Sequence, residues 1–326
     1  MRIHKAPYIG HHRRIVDAAK VQAVLASVFG PNELANLQPI STGKFNESYF
    51  VSLGSRQYVL RIAPSKQTPV LFYERAMMRR EPAVHALVAQ RTNAPVATIT
   101  ASDFSGRIID RDWLIMERLP GRPLSEMPLR GKPSGRLYHQ LGAALAQVHQ
   151  IRNSWYGYPD GSDTGLRAAT WYEAFADMWS RLLDDVASTG IYSHAQTDQL
   201  AALLEKHAGA FGHNPPAALL HMDVWSQNIL GGRDGELLGL VDWDRGLWGD
   251  PEIEFSVLEY CGTSPEAFWQ GYGCNPMRDR EAQIRGLFYL LYEHQKYIYI
   301  RSERGRSPNV ARRYARESLA LARQLE

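Results

Sequence analysis

The feature that most constrains this chain is a change of pattern at Pro120-Gly121. Upstream of it, short segments alternate apolar and polar residues and are rich in β-branched and aromatic side chains. Downstream, apolar residues recur at helical spacing over long stretches. A period of two suits strands half-buried in a sheet, whereas i, i+3, i+4, i+7 spacing suits a helix with one buried face. Residues 48–53 and 57–62 read as strands joined by Gly54-Ser55-Arg56, and 97–101 and 113–117 as two more. Residues 82–90 read as a helix presenting Val84, Leu87 and Val88. A helix over 15–29, with Val16, Val24, Leu25 and Val28 as its stripe, is stopped by Gly30-Pro31. Beyond the boundary, helices are expected over 136–149, 171–187, 197–210 and 278–301, with short strands at 218–220, 228–230 and 236–241. At 326 residues the chain is long enough for two cores, since single cores split beyond roughly 250–300 residues. The expectation is an α+β fold in two lobes. Residues 1–116 form a small antiparallel sheet with one helix, 117–121 mark the boundary, and 122–326 form a larger, mainly helical lobe.

Composition excludes more than it selects. With 44% hydrophobic and 22% charged residues the chain is neither disordered nor fibrous. A net charge of +3 gives no basic stripe interleaved with aromatics, so a nucleic-acid binder is not expected. The nearest candidate, Arg301-Ser302-Glu303-Arg304-Gly305-Arg306, is interrupted by an acid and reads as a solvated helix end. Cys261 and Cys274 provide neither a disulfide framework nor metal-type spacing, which fits a reducing cytoplasm. No secretory leader and no membrane span are expected, because no stretch approaches 18 uninterrupted apolar residues. Nor is there a sign of an obligate protein partner.

Chemistry concentrates in one stretch. His221-Met222-Asp223-Val224-Trp225-Ser226-Gln227-Asn228 is followed by Val241-Asp242-Trp243-Asp244 and then Gly249-Asp250-Pro251. An Asp, an Asn five residues later and a second Asp after a strand form a layout that phosphoryl transfer can use. One carboxylate orients the attacking hydroxyl, while an Asn oxygen and another carboxylate hold the Mg²⁺ that bridges nucleotide phosphates. Hard oxygen ligands suit that ion. His221 reads as a packed support for the loop, Asp244 as a structural acid, and Asp250 as a helix cap.

The pattern H-x-D-x-x-x-x-N, then V-D-W, then G-D-P, resembles the aminoglycoside phosphotransferase family, relatives of choline kinases and of eukaryotic protein kinases. The resemblance implies a bilobal protein-kinase-like fold and transfer of the γ-phosphate of ATP or GTP to a small-molecule hydroxyl. It makes Asp223 the catalytic or hydroxyl-orienting residue, and Asn228 and Asp242 the Mg²⁺ ligands. It places Thr42 and Gly43 in a nucleotide-positioning loop. Arg61 takes the strand position that grips phosphates, where a guanidinium can bond bidentately. Its helical partner is Glu81 or, failing that, Glu74. Leu114 to Gly121 resembles the interlobe hinge, with Met116 behind the base and the main chain of Glu117 and Leu119 reading it.

A protein kinase is disfavoured, because no long activation loop fits between Asp242 and Gly249-Asp250-Pro251. A pseudokinase should lack the base or the metal ligands. A metal hydrolase through His221, Asp223 and Asp242 would need further ligands. The expected acceptor is an aminoglycoside-type antibiotic, held by acids such as Asp160, Asp163, Glu173 and Asp177; a metabolic alcohol of the choline, homoserine, methylthioribose or sugar type is the alternative. Trp171, Phe175 and Trp179, spaced by four, read as a buried helix stripe.

Overall fold

A computed structural model describes residues 16–31, 35–41, 45–128, 130–159 and 163–326. Thr42 and Gly43, and Asp160 among the candidate acids, lie outside the described residues. The N-terminal lobe comprises α1 (Ala18–Phe29), β1 (Asn36–Pro39), β2 (Glu47–Leu53), β3 (Arg56–Ile62), α2 (Glu81–Arg91), β4 (Ile99–Asp103) and β5 (Trp113–Glu117). Its antiparallel sheet runs in the order β1-β2-β3-β5-β4. The alternation in β2 is strict: Tyr49, Val51 and Leu53 turn inward and pack with Val21, Val24 and Leu25 of α1. Burying one such side chain contributes about 1.5–3 kcal/mol, which is what seats α1 on the sheet. The other face carries Leu114 and Met116 against Met78 and Ala97, with Val59 and Leu119 alongside.

The larger lobe holds α3 (Lys132–Val148), α4 (Trp171–Ala187), α5 (His194–Lys206), α6 (Pro251–Cys261), α7 (Glu266–Tyr272), α8 (Arg280–Tyr299) and α9 (Pro308–Ala322). Two small sheets interrupt the helices. One runs β7 (Arg152–Asn153), β10 (Ala217–Leu220), β13 (Leu247–Gly249), β8 (Tyr156–Gly157), β9 (Arg167–Ala168). The other joins β12 (Leu237–Leu240), β11 (Ile229–Gly231) and β6 (Arg122–Pro123). Because β6 follows the 117–121 segment directly, its pairing with β11 anchors that connection beside the stretch singled out for chemistry.

Helix α4 starts at a capping box in which Thr170 and Glu173 bond each other's main chain. Trp171, Phe175 and Trp179 are buried, as their spacing suggests, and the two indoles donate to Tyr289 Oη (2.7 Å) and the Leu200 carbonyl (3.1 Å). Helices α3 and α7 touch main chain to main chain at two glycines. A Cβ at Gly142 would lie 2.0 Å from the Phe268 carbonyl oxygen, and one at Gly271 would lie 1.9 Å from that of His139. Gly142→Ala must push the helices apart and is expected to cost about 1–3 kcal/mol. A urea midpoint equal to that of the parent protein would contradict this close crossing.

One expectation is corrected here. Helix α8 does not fray into solvent at the basic run: it widens into a π-turn over Ile300–Arg304, closed by the Gly305 N–H on the Ile300 carbonyl (2.8 Å), and Arg301 and Arg304 are buried.

Candidate active site

Strand β10 ends at Leu220, and residues 221–228 fold back into β11. The reversal forces Met222 to a left-handed φ of +62°. A non-glycine residue there costs on the order of 1–3 kcal/mol, so neighbours must hold it. Glu254 of α6, fully buried, accepts the Met222 N–H; its other oxygen meets His149 Nε2 at 2.7 Å, and His149 Nδ1 meets Tyr272 Oη at 2.7 Å. Burial alone would raise the Glu254 pKa, but the bonds to His149 and Met222 outweigh it and hold the carboxyl below its ordinary range. Neither Glu254 nor His149 was marked by the sequence. The only signal available was an acid among the apolar positions Ile253, Val257 and Leu258.

His221 supports the loop. Its Nδ1 accepts the Asp223 N–H (3.3 Å) and its Nε2 donates to the Val241 carbonyl (3.1 Å), while Trp243 lies against the ring at 4.3 Å. Both nitrogens are occupied, so His221 is not placed to ligate a metal. Asp223 Oδ2 accepts Asn228 Nδ2 (2.9 Å), which also reaches the Asp223 carbonyl (3.0 Å). Asp223 Oδ1 accepts Arg245 Nη1 at 3.1 Å. Burial would lower the Arg245 pKa, yet Asp223 and its neighbours outweigh that and hold it well above the usual value. Arg245 is thus a member of the site that the sequence reasoning missed.

Asp242 follows β12 in a left-handed conformation (φ +72°), and the Val241 N–H donates to the Asn228 carbonyl (3.0 Å), so the loops carrying Asn228 and Asp242 are stitched together. Arg61, on β3, reaches across from the sheet. Its guanidinium pairs with Glu81 and Asp242, and with Asp244 at 3.0 Å. Asp244 also accepts from Asn46 Nδ2 at 3.2 Å. Burial would lower the pKa of Arg61, but Asp242, Glu81 and Asp244 together raise it. For Asp242 burial pulls upward and is outweighed by Arg61 and Arg245, leaving it low; for Asp244 burial and then the Asp242 charge drive it well above the carboxylate range. The two acids thus divide: Asp242 favours the charged form, and Asp244 holds its proton more tightly.

The partner of Arg61 is Glu81, because Glu74 is taken by Arg304 in a bidentate pair at 2.9 Å for each bond. Glu81 is helical (φ −55°, ψ −45°) although it precedes Pro82, a position that usually avoids this region. The proline sits in the first turn, where its missing N–H costs nothing. Met116 is buried at the back of the sheet, the Glu117 N–H donates to the Thr98 carbonyl (2.9 Å), and Leu119 packs beside Met116. Asp250 caps α6 by accepting the Glu252 N–H (3.0 Å). His213, Asp250 and Glu252 are close enough to suggest a cation, but Asp250 is committed to the cap and to His213, and Arg285 grips Glu252 with bonds of 2.6 and 2.9 Å. His207 bonds the Leu325 carbonyl (2.7 Å), so the hydrolase reading gains no further ligand.

Comparison with known proteins bears on the family and the fold. A model of the APH phosphotransferase enzyme family matches residues 36–284. A probable ketoamine kinase of Synechocystis is 23% identical over 80% of this chain and 83% of its own. One from Lactiplantibacillus plantarum is 24% identical over 79% of this chain and 88% of its own. Among solved structures, a putative fructosamine-3-kinase of Haemophilus somnus superposes with a TM-score of 0.70 at 19% identity, covering 94% of this chain and 96% of that one. A thermostable mutant of the aminoglycoside phosphotransferase APH(4)-Ia, in complex with AMP-PNP and hygromycin B, gives 0.65 at 16% identity over 94% and 98%. The fold is therefore protein-kinase-like, and the chain belongs to the APH phosphotransferase enzyme family as a kinase-type phosphotransferase of small molecules.

Proposed function

We propose that the protein transfers the γ-phosphoryl group of ATP or GTP to a sugar-type hydroxyl of a small ketoamine, as a cytoplasmic enzyme. Residues 1–116 and 122–326 act as the nucleotide and acceptor lobes, with 117–121 as the hinge. The observation that carries the chemistry is the convergence of Asp223, Asn228, Asp242 and the Arg61–Glu81 pair in one bonded cluster.

Each residue has work that its environment suits. Arg61 stays charged at any working pH and presents its guanidinium to phosphate oxygens. Met116 closes the back of the base pocket, and the main chain of Glu117 and Leu119 reads the base; Thr42 and Gly43 are assigned to the phosphates. The donor set fits Mg²⁺. Asn228 turns its amide nitrogen to Asp223, which leaves Oδ1 for a cation, and Asp242 is 36% exposed where Asp244 is 3%. Asn228 and Asp242 would hold the ion, whose positive charge would offset the negative charge that develops on transfer. Asp223 accepts from Asn228 and Arg245 at once, so its carboxylate is fixed in direction before the hydroxyl arrives.

The acceptor class rests on two supports. Several relatives carry the name ketoamine kinase. And two of the four acids expected to hold a polycationic antibiotic are engaged: Glu173 caps α4, and Asp177 pairs with Arg181 at 2.9 Å. Among the described residues no helix is long and apolar enough to cross a membrane. The test is a coupled ADP-release screen with ATP and with GTP, with and without Mg²⁺, over ketoamines, aminoglycosides, macrolides and metabolic alcohols. A ketoamine is expected to give the largest stimulation, and chelation to abolish it. Stronger turnover with an aminoglycoside would overturn the acceptor class, and no stimulation by any acceptor would favour a pseudokinase.

A further inference from the structure

The basic run at 301–306 is a sequence feature that the site described above does not use. The π-turn is what redirects it. Closing with the Gly305 N–H on the Ile300 carbonyl, five residues back, it differs from the ordinary helical register. Arg304, at its end, lies against Glu74 and Phe45. Both guanidinium arms bond Glu74, a residue between β3 and α2 and so between the elements that carry Arg61 and Glu81. Glu74 Oε2 accepts the Leu71 N–H as well, at 2.9 Å, which fixes the carboxylate. Arg304 and Glu74 are both buried, so neither arm is a swinging surface group. The ring of Phe45 lies 5.1 Å from the Arg304 guanidinium. Phe45 immediately precedes Asn46, whose amide bonds Asp244, and that acid bonds Arg61.

We propose that Arg304 is a positioning residue for the nucleotide. The Arg304–Glu74 pair is a rigid platform that joins the two lobes, and Phe45 docks on it by a cation–π contact. Docking holds the start of β2, and Asn46 with it, against Asp244 and Arg61. The β2 end of the loop assigned to the phosphates is thereby fastened at two points: Asn46 on Asp244 and Phe45 on Arg304. Arg304 lies beyond residue 284, where the match to the family model stops. The inference rests on the nucleotide reading of the same cleft.

The test is calorimetric binding of AMP-PNP with Mg²⁺ to the full chain, which needs no acceptor. Phe45→Leu keeps an apolar side chain but loses the π face, and Arg304→Met keeps length but loses charge. Each is expected to weaken AMP-PNP about fivefold to thirtyfold, the range of a partly desolvated cation–π contact. The double variant should be little worse than the weaker single one, because both remove the same contact. Arg304→Lys should recover part of the loss. Phe45→Leu should leave the thermal midpoint and the acceptor KM near those of the parent. If Arg304→Met fails to fold, Phe45→Leu alone decides. Parent-like AMP-PNP affinity in Phe45→Leu, or losses that simply multiply in the double variant, would overturn the proposal while leaving the nucleotide reading intact. Absence of AMP-PNP binding by the parent protein would overturn both.

Discussion

Asp223→Asn is expected to slow phosphoryl transfer by about 10²–10⁴-fold while AMP-PNP binding persists. The asparagine keeps the volume of the side chain and one oxygen for Arg245, so the loop held by Glu254 and His221 should stay in place. What it loses is the second carboxylate oxygen and the charge proposed to direct the acceptor hydroxyl. Single-turnover ADP formation checks the rate, and calorimetry checks the nucleotide. Transfer within tenfold of the parent rate would remove Asp223 from the mechanism. Loss of nucleotide binding together with transfer would instead show that the substitution damages the site as a whole.

Arg61→Met is expected to have the largest effect on stability. Arg61 is buried and bridges three carboxylates on two separate segments: Glu81 on α2, and Asp242 and Asp244 after β12. Removing one partner of a buried ionic network leaves uncompensated charge, which costs about 3–5 kcal/mol. Here Asp242 and Glu81 would both lose their main cation. The same change would remove the proposed phosphate grip, so nucleotide affinity should fall as well. Arg61→Lys should recover part of both, since it restores charge but cannot present separate N–H groups to Glu81 and to Asp242 and Asp244 in one plane. Denaturant unfolding and AMP-PNP titration measure the two effects separately. A parent-like unfolding midpoint for Arg61→Met would mean that the network is no structural keystone.

The elements themselves were largely legible where a long periodic pattern carried them. The stripes of α1, α4 and α8, and the alternation of β2, are read from spacing because burial enforces it over many residues. Short elements such as β6 to β9 and α7 were not, since two residues carry no strand period and seven span only about two helical turns. Helix α6 was announced only by its cap at Asp250 and by the proline that follows it. The basic run after α8 was misread because spacing cannot foresee a π-turn, which shifts the register and carries Arg301 and Arg304 into the interior.

By itself the sequence nominated side chains for phosphoryl transfer: Asp223, Asn228 and Asp242 by their type and local spacing, and Arg61 by resemblance to the family. Spacing along a loop is a local property, and chemistry of this kind depends on it. Only the tertiary structure decided who holds whom. Glu81 rather than Glu74 pairs with Arg61, because Arg304 arrives from the far end of the chain to occupy Glu74. Arg245 meets Asp223, and Glu254 with His149 holds the strained Met222. Such pairings join residues up to 230 positions apart. They are settled by packing and by the need to match every buried charge, which no local pattern encodes.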